Sequence, residues 1–529
     1  MTQWIETTKT LQNGEPVTRA IEIEPMDREV YLTDNAYAEV TDEVADLLAT
    51  NISNISKVSE PASPGSYFGD AGENTKVKIV APDDTFEDLT VVGNASAKSV
   101  STDELHGDWD TLVTSTPELE SAFNNLSAGE TVQIAQPPTP YRPTQWLDID
   151  VDGVTVVAQS RYAEDGQPIV KPADGADVGG IRVGVNSPVE HVRIARVGYH
   201  GNESTMTDTV KRLHAFIVDD ATDVTIENCF ATRTHPYREH GTGGSGYSVR
   251  HLTTDVTIRG CGSDDIGDRA IQLGGKDITV TGCYLRNGFD RSVSFNLEEP
   301  DGNYYLPKRV AVTGNVCRDN SDGSCIGTNQ VDPRAGYQAG DYVVEGNVLY
   351  GEMRRAVHIS AAVSDVTITN NVCHLTTVAT DPVGSGIMVN GGSGVANVTV
   401  GENVIRGYER EGILVNNGAI DVSVTGNVIR DVDVGIVVES SSNVSVTGNE
   451  IRTVEFPGIN IIADDGATYT NIKATDNIVL DCAKGIVVQE NAGTVDYYMV
   501  KDNIINGNSK TAVDDTASGG TKDVSGNLY

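Results

Sequence analysis

The chain has 529 residues and carries 76 acidic against 38 basic side chains, for a formal net charge of −38. That charge excludes a long nucleic-acid groove or an anionic membrane surface as partner, because both would repel it. The length exceeds what one compact core organises, so several domains or one elongated repeat is implied. With 54 Gly and only 6% aromatic residues, any core consists of thin layers of small and β-branched side chains.

Lysine is scarce. Of the basic residues 14 are Lys and 24 are Arg, while Asp alone supplies 46 of the acids. Sparse Lys beside abundant carboxylate suits solubility at very high salt, and a halophilic source is expected. No stretch approaches the roughly 18–20 apolar residues that span a bilayer. Residues 1–24 lack a basic segment followed by an apolar one, so neither membrane insertion nor an export signal is expected. Seven Cys, an odd number scattered without CxxC pairs, predict free buried thiols, no zinc site and no cofactor.

In chain order, residues 1–60 read as a small separate module, with Glu29-Val-Tyr-Leu-Thr33 a strand and Thr41-Asp-Glu-Val-Ala-Asp-Leu-Leu48 a short helix. Residues 61–102 form a linker, Pro/Gly/Ser-rich at Pro61-Ala-Ser-Pro-Gly-Ser-Tyr-Phe-Gly69, followed by the β phrases Lys76-Val-Lys-Ile-Val80 and Asp88-Leu-Thr-Val-Val-Gly-Asn-Ala-Ser-Ala-Lys-Ser-Val100. Ser115-Thr-Pro-Glu118 then opens an amphipathic helix over 115–129 through Leu119, Ala122, Phe123 and Leu126, stopped near Gly129.

From residue 192 onward one phrase recurs about every 27 residues, within the range of stacked repeats. It reads Val310-Ala-Val-Thr-Gly-Asn315, Tyr342-Val-Val-Glu-Gly-Asn347, Val366-Thr-Ile-Thr-Asn-Asn371, Val422-Ser-Val-Thr-Gly-Asn427 and Val444-Ser-Val-Thr-Gly-Asn449. A short apolar stretch follows each Asn, then a Gly-Ile-x-Val strand such as Gly412-Ile-Leu-Val415 or Gly435-Ile-Val-Val438. Three short alternating strands per period describe one rung of an all-β, right-handed parallel β-helix over 103–529. The Asn column suits a tight bend that needs a left-handed residue and an amide able to bond to its copy one rung away. In three rungs Cys229, Cys261 and Cys283 take its place, read as buried thiols. The helix would plug the first rung, and a partner chain is expected to cover Gly526-Asn527-Leu528-Tyr529 at the other end.

From about residue 103 to the end, the helix plug, the Asn column and the Gly-Ile-x-Val strands resemble the pectate-lyase-like right-handed β-helix superfamily. That superfamily includes polysaccharide lyases, glycosidases, epimerases and viral tailspikes. The phrase at 88–100 is similar to the fibrous repeats of viral tail-fibre shafts. The resemblance implies a tailspike or fibre attachment protein of a halophilic, haloarchaeal virus. It would be made in the host cytoplasm, lie on the virion surface, be anchored to other virion proteins through residues 1–60, and bind a host-surface glycan or glycoprotein. A homo-oligomer is implied, with a trimer favoured. The alternatives are a polysaccharide hydrolase, lyase or epimerase, and a purely structural decoration.

The middle x of each Gly-Ile-x-Val strand points outward, giving the file Ile217, Ser248, Gln272, Ser294, Gly327, His358, Met388, Leu414, Val437, Asn460 and Val487. Its polar members and the longer loops (233–240, 296–305, 330–334) fall in the N-terminal half, where a sugar site is expected. With rungs about 4.8 Å apart, carboxylates on neighbouring rungs fall within the roughly 5–9.5 Å used in glycosidic cleavage. Asp264 or Asp265 is the candidate acid, and Asp268 or Asp290 the candidate base or nucleophile. His240 and His358 are candidate proton shuttles. Arg269, Arg291, Arg354, Gln272 and Ser294 are candidate sugar ligands, and Tyr237, Tyr304 and Tyr305 candidate stacking faces. Ser263-Asp-Asp265 is similar to the Asp-Asp motif of polygalacturonase-type glycosidases, but no Gly-His-Gly or Arg-x-Lys follows it. Asp148-Ile-Asp-Val-Asp-Gly153 mimics the start of a calcium loop, but Gln159 stands at its twelfth position and the alternation suits a strand.

Overall fold

The computed structural model describes the strands at 3–10 and 16–23, and residues 109–202, 213–234, 243–295, 297–298, 304–320, 323–328, 339–360, 362–377, 384–518 and 521–529. The chain divides into two units, Met1–Gly107 and Asp108–Tyr529. In the first, Gln3–Thr10 and Pro16–Ile23 form an antiparallel hairpin with Gln3 opposite Ile23, a pairing the sequence reading had not anticipated. The strand expected at 29–33, the helix at 41–48 and the phrases at 61–69, 76–80 and 88–100 lie outside the described residues.

The second unit is a right-handed parallel β-helix. Each rung passes through three sheets in a fixed order, as in Ala396–Gly401, Val404–Arg406 and Glu411–Asn416. Among the described residues, sheet 1 has 16 strands, sheet 2 has 12 and sheet 3 has 14. Alternation sets the inside: in Ile420–Thr425, Val422 and Val424 are buried while Ile420 and Asp421 are exposed. Each such Val or Ile contributes about 1.5–3 kcal/mol on burial.

Between sheets 1 and 2 the amides align. Asn371 Oδ1 accepts from the backbone N–H and the Nδ2 of Asn347 at 3.0 and 2.9 Å, and the pattern continues through Asn403, Asn427, Asn449, Asn477, Asn503 and Asn527. Each Nδ2 also reaches a carbonyl of sheet 1, Val312 O in the case of Asn347, at 2.9 Å. The left-handed residue is the one before the amide, not the amide itself: Gly314, Gly346, Asn370, Glu402, Gly426 and Gly448 have φ of 54–68°. That corrects the sequence reading, and it explains why Gly precedes Asn so often. Cys229, Cys261 and Cys283 hold the same column, and their Sγ atoms donate to Ile194, Ile226 and Ile258 carbonyls, copying the amide's donor role. All seven Cys are buried and free.

A second column turns the corner from sheet 2 into sheet 3. A Cβ on Gly386, Gly412, Gly435, Gly458 or Gly485 would lie 2.3–2.6 Å from a γ-carbon of Ile405, Ile429, Ile451, Val479 or Ile505 on the next rung. Where that next-rung residue is Ala231, Leu285, Cys317, Leu349 or Cys373, the column holds Ala215, Ala270, Ser292, Cys325 or Ala356. A β-branched neighbour is thus met by glycine in each of these rungs, although Gly180 and Gly246 hold the same column opposite Tyr199 and Ser263.

The helix spans Thr116–Asn124, capped by Ser115, whose Oγ accepts from the Glu118 N–H. It ends earlier than expected, because Asn125 Nδ2 turns back to Ser121 O and Gly129 N–H donates to Asp152 O in the first turn of the coil. Leu119 and Phe123 bury against the coil's interior.

Candidate functional site

The outward file of sheet 3 stands as read from sequence. Ile217, Ser248, Gln272, Ser294, Gly327, His358, Met388, Leu414, Val437, Asn460 and Val487 are each register partners of the next. A second outward file precedes it at the corner and holds Arg269, Arg291, Ser324, Arg355, Ser385 and Glu411. A third follows it with Ser360, Asn390, Asn416 and Glu439.

In the N-terminal half the corner arginines meet two acids. Arg269 Nη1 bonds Asp268 at 3.0 Å, Arg269 Nε bonds Asp290 at 3.1 Å, and Arg291 Nη1 bonds the same Asp290 oxygen at 2.6 Å. All four side chains are largely buried, so the carboxylates are committed to neutralising guanidinium groups.

Arg355 is placed differently. Its Nε is buried and has no protein partner; burial, then Arg354 and Arg291, push its pKa down, while Glu411 acts in the opposite direction. Three residues on, His358 is 9% exposed and both ring nitrogens are without a partner. Burial, then Arg355 and Arg291, hold it well below the ordinary histidine range, so it is neutral, with one N–H donor and one bare acceptor. The Ser324 hydroxyl, beside Arg355 in the corner file, is likewise buried and unpartnered, as is that of Ser248, four rungs before His358 in its own file. Buried polar atoms are nearly always satisfied, so the grouping of Arg355, His358 and Ser324 marks a place where another molecule or water completes the set.

The C-terminal half is built otherwise. Met388, Leu414 and Val437 form an apolar cluster outside the coil, backed by Val434 and Ile462. Carboxyls rim it: Glu411, held by Ser385 Oγ at 2.8 Å, with Asp433 and Glu439. Burial, then Glu455, Glu409 and Glu411, raise the Asp433 pKa; burial, then Asp464 and Glu411, raise that of Glu439. Asn416 Oδ1, buried beside them, has no partner.

Asp264 and Asp265 do not lie on the outward files of sheet 3. Asp264 ends the sheet 2 strand Gly262–Asp264, where Arg286 Nη2 and Asn287 Nδ2 hold it, each at 2.7 Å. Asp265 takes the left-handed turn and faces Arg233 at 3.5 Å. Tyr305 is buried and stacked on His251 with centroids 3.9 Å apart, so its face is not open to a sugar. Tyr304 lies in a two-strand hairpin, Leu297–Glu298 with Tyr304–Tyr305. Tyr237 and His240 lie outside the described residues. The calcium-like phrase is spent on its neighbours: Asp148 binds Arg182 at 2.6 Å and Asp150 binds Asn186 Nδ2 at 2.6 Å. Among the described residues no three His, Cys, Asp or Glu are grouped to hold a metal ion.

Glu411, Asp433 and Glu439 were missed by the sequence reading. It followed only the middle position of each Gly-Ile-x-Val strand, whereas Glu411, one before its Gly, Asp433, two before its Gly, and Glu439, one after its Val, lie on the flanks of that file.

A family model described as a right handed beta helix region matches residues 378–528. Among solved structures, the tailspike of E. coli bacteriophage HK620 in complex with a pentasaccharide superposes with a TM-score of 0.53 at 14% identity, covering 76% of this chain and 74% of that one. The catalytic unit of the GH87 alpha-1,3-glucanase from Streptomyces thermodiastaticus gives 0.48 at 16% identity over 80% and 71%. PfbA, a surface adhesin of Streptococcus pneumoniae, gives 0.42 at 14% over 75% and 86%. At such identities the likeness is one of fold. Among curated proteins no sequence matches.

Proposed function

We propose that the protein is a virion surface spike of a halophilic virus whose sheet 3 binds a host-envelope glycan, with residues 1–60 as its anchor. One observation carries the binding reading: Arg355 Nε, both His358 nitrogens and the Ser324 hydroxyl are buried without partners on two adjoining outward files of neighbouring rungs. A neutral imidazole and hydroxyls complement sugar hydroxyls, and a guanidinium complements a carboxylate or another acidic substituent. The fold shared with a tailspike solved in complex with a pentasaccharide supports the same reading. The test is binding of purified protein to immobilised host-envelope polysaccharide in molar KCl. Arg355→Ala and His358→Ala should each lose tenfold or more, and unchanged binding by both variants defeats the assignment.

A second reading, polysaccharide cleavage, is favoured by the raised carboxyls. Burial and neighbouring carboxylates raise Asp433 and Glu439, favouring their protonated forms beside Glu411, the direction an acid–base pair requires. New reducing ends from the same polysaccharide, abolished in Glu439→Gln, would establish it in place of simple binding.

A further inference from the structure

Unmet acceptors collect along the third outward file of sheet 3. Asn416 and Glu439 stand there on neighbouring rungs, each one residue beyond the paired Val415 and Val438. Asn416 is 8% exposed and its Oδ1 is buried without a partner. One rung earlier the same position is satisfied, because Asn390 Oδ1 accepts from Gly392 N–H at 3.1 Å and from Asn417 Nδ2 at 3.2 Å. Asn460, the register partner of Val437, buries another unpartnered Oδ1. Among the described residues no donor reaches the Glu439 carboxyl.

The charges around this point have one sign in excess. Burial, then Asp464 and Glu411, oppose ionisation of Glu439, and Asp465 adds to them; Arg410, 3.4 Å from Glu411, is the cation that acts the other way. Met388, Leu414 and Val437 alongside are only 5–8% exposed, so water screens the carboxylates poorly. The missing complement is a group that donates, accepts nothing and carries positive charge. An ammonium, with three N–H donors and no acceptor, has those properties. A metal ion is disfavoured, since among the described residues no three acids are grouped to hold one.

Position in the fold says what carries the ammonium. Val437, on the strand of Glu439, lies three rungs beyond His358 in the same outward file, about 14 Å at ordinary strand spacing. A short oligosaccharide lying over Arg355 and His358 spans that distance. We propose that this end of sheet 3 recognises a free amine on the bound glycan, so that the ligand is an amino-sugar polymer whose ammonium group meets Glu439 and Asn416, with Glu411 behind them. The inference rests on glycan binding by sheet 3. An N-acetylated sugar would bring a neutral amide and leave the carboxylates uncompensated, so discrimination between amine and acetamide is the mark of the site.

The test is calorimetric titration of the full chain in molar KCl with the tetrasaccharide of glucosamine and, separately, with that of N-acetylglucosamine. The free-amine tetramer should bind tenfold or more tightly than the acetylated one. This comparison needs no variant, so it decides even where a substitution unfolds the chain. Glu439→Gln combined with Glu411→Gln should erase the preference while keeping the wild-type circular dichroism. Asp365→Asn combined with Asp421→Asn removes the same charge from exposed positions of sheet 1 and should leave the preference intact, which separates a local site from attraction to the net charge of −38. Equal binding of the two tetramers, or binding of neither, overturns the proposal, as does a preference that survives the Glu439 and Glu411 changes or is lost equally with the sheet 1 pair. A lysine-rich peptide that binds through Glu439 when neither tetramer does would make the site one for protein instead. Equal binding of the tetramers alongside loss of polysaccharide binding in Arg355→Ala would remove the amine and leave the glycan reading standing.

Discussion

Asn347 Oδ1 accepts both the backbone N–H and the side-chain amide of Asn315, each at 3.0 Å. One oxygen therefore secures two buried donors of the preceding rung, while the same residue's Nδ2 secures Val312 O. Removing an internal member strands three groups at once.

Asn403→Ala should accordingly cost about 2–5 kcal/mol, because Asn371 N and Nδ2 lose their acceptor and Ile368 O loses its donor. Asn403→Cys should cost less, since a thiol at Cys261 already reaches the equivalent carbonyl. Chemical denaturation and amide exchange at Asn371 measure both.

The glycine corner gives a paired prediction. Gly412→Ala places a Cβ 2.5 Å from Ile429 Cγ2 and should cost about 1–3 kcal/mol. Adding Ile429→Leu, which moves the branch one carbon outward, should recover part of the loss, as the Ala270 and Leu285 pairing in the same columns indicates. Thermal melting of the single and double variants checks it; a double variant worse than the sum would refute the coupling.

Acid sensitivity follows from two neutral histidines. His200 is pushed down to about 4 by burial, then by Lys171, Arg233 and Arg142, and His358 is held well below its ordinary value. An unfolded histidine takes up its proton near pH 6.5, roughly the ordinary value. The unfolded chain thus binds more protons below that pH, and the stability these residues contribute is complete above it and lost as pH falls toward 4. In His358→Gln the decline in unfolding free energy between about pH 6.5 and 4.5 should be shallower than in wild type.

Salt should act through the acidic rim. The raised pKa values of Asp433 and Glu439 mean that ionising them in the folded chain is opposed, so stability is lost as pH rises through those values. Glu439→Gln should raise the melting temperature at pH 7 in dilute buffer, and the gain should shrink in molar KCl, where the repulsion is screened.

How far the sequence could be read depended on range. The coil and its outward file, from Ile217 to Val487, were legible because alternation and the Asn phrase are local and repeat. The files flanking it were not, because the bend at each corner decides whether Arg355, Glu411 or Glu439 faces out. Asp264 was read from its neighbours in the chain, whereas its ion-pair partner Arg286 comes from the next rung. Tyr305 looked like an open ring, but His251 covers it. Such pairings form between distant segments and leave no periodic trace.

The amide file also separates what must stay constant from what is free to vary. Among the described residues each rung is fastened to the two beside it by ladders in all three sheets, and the amide file sits at the corner between sheets 1 and 2. Insertions at the corner between sheets 3 and 1 lengthen a loop without touching that spine, so loops can be exchanged while the scaffold underneath is inherited unchanged.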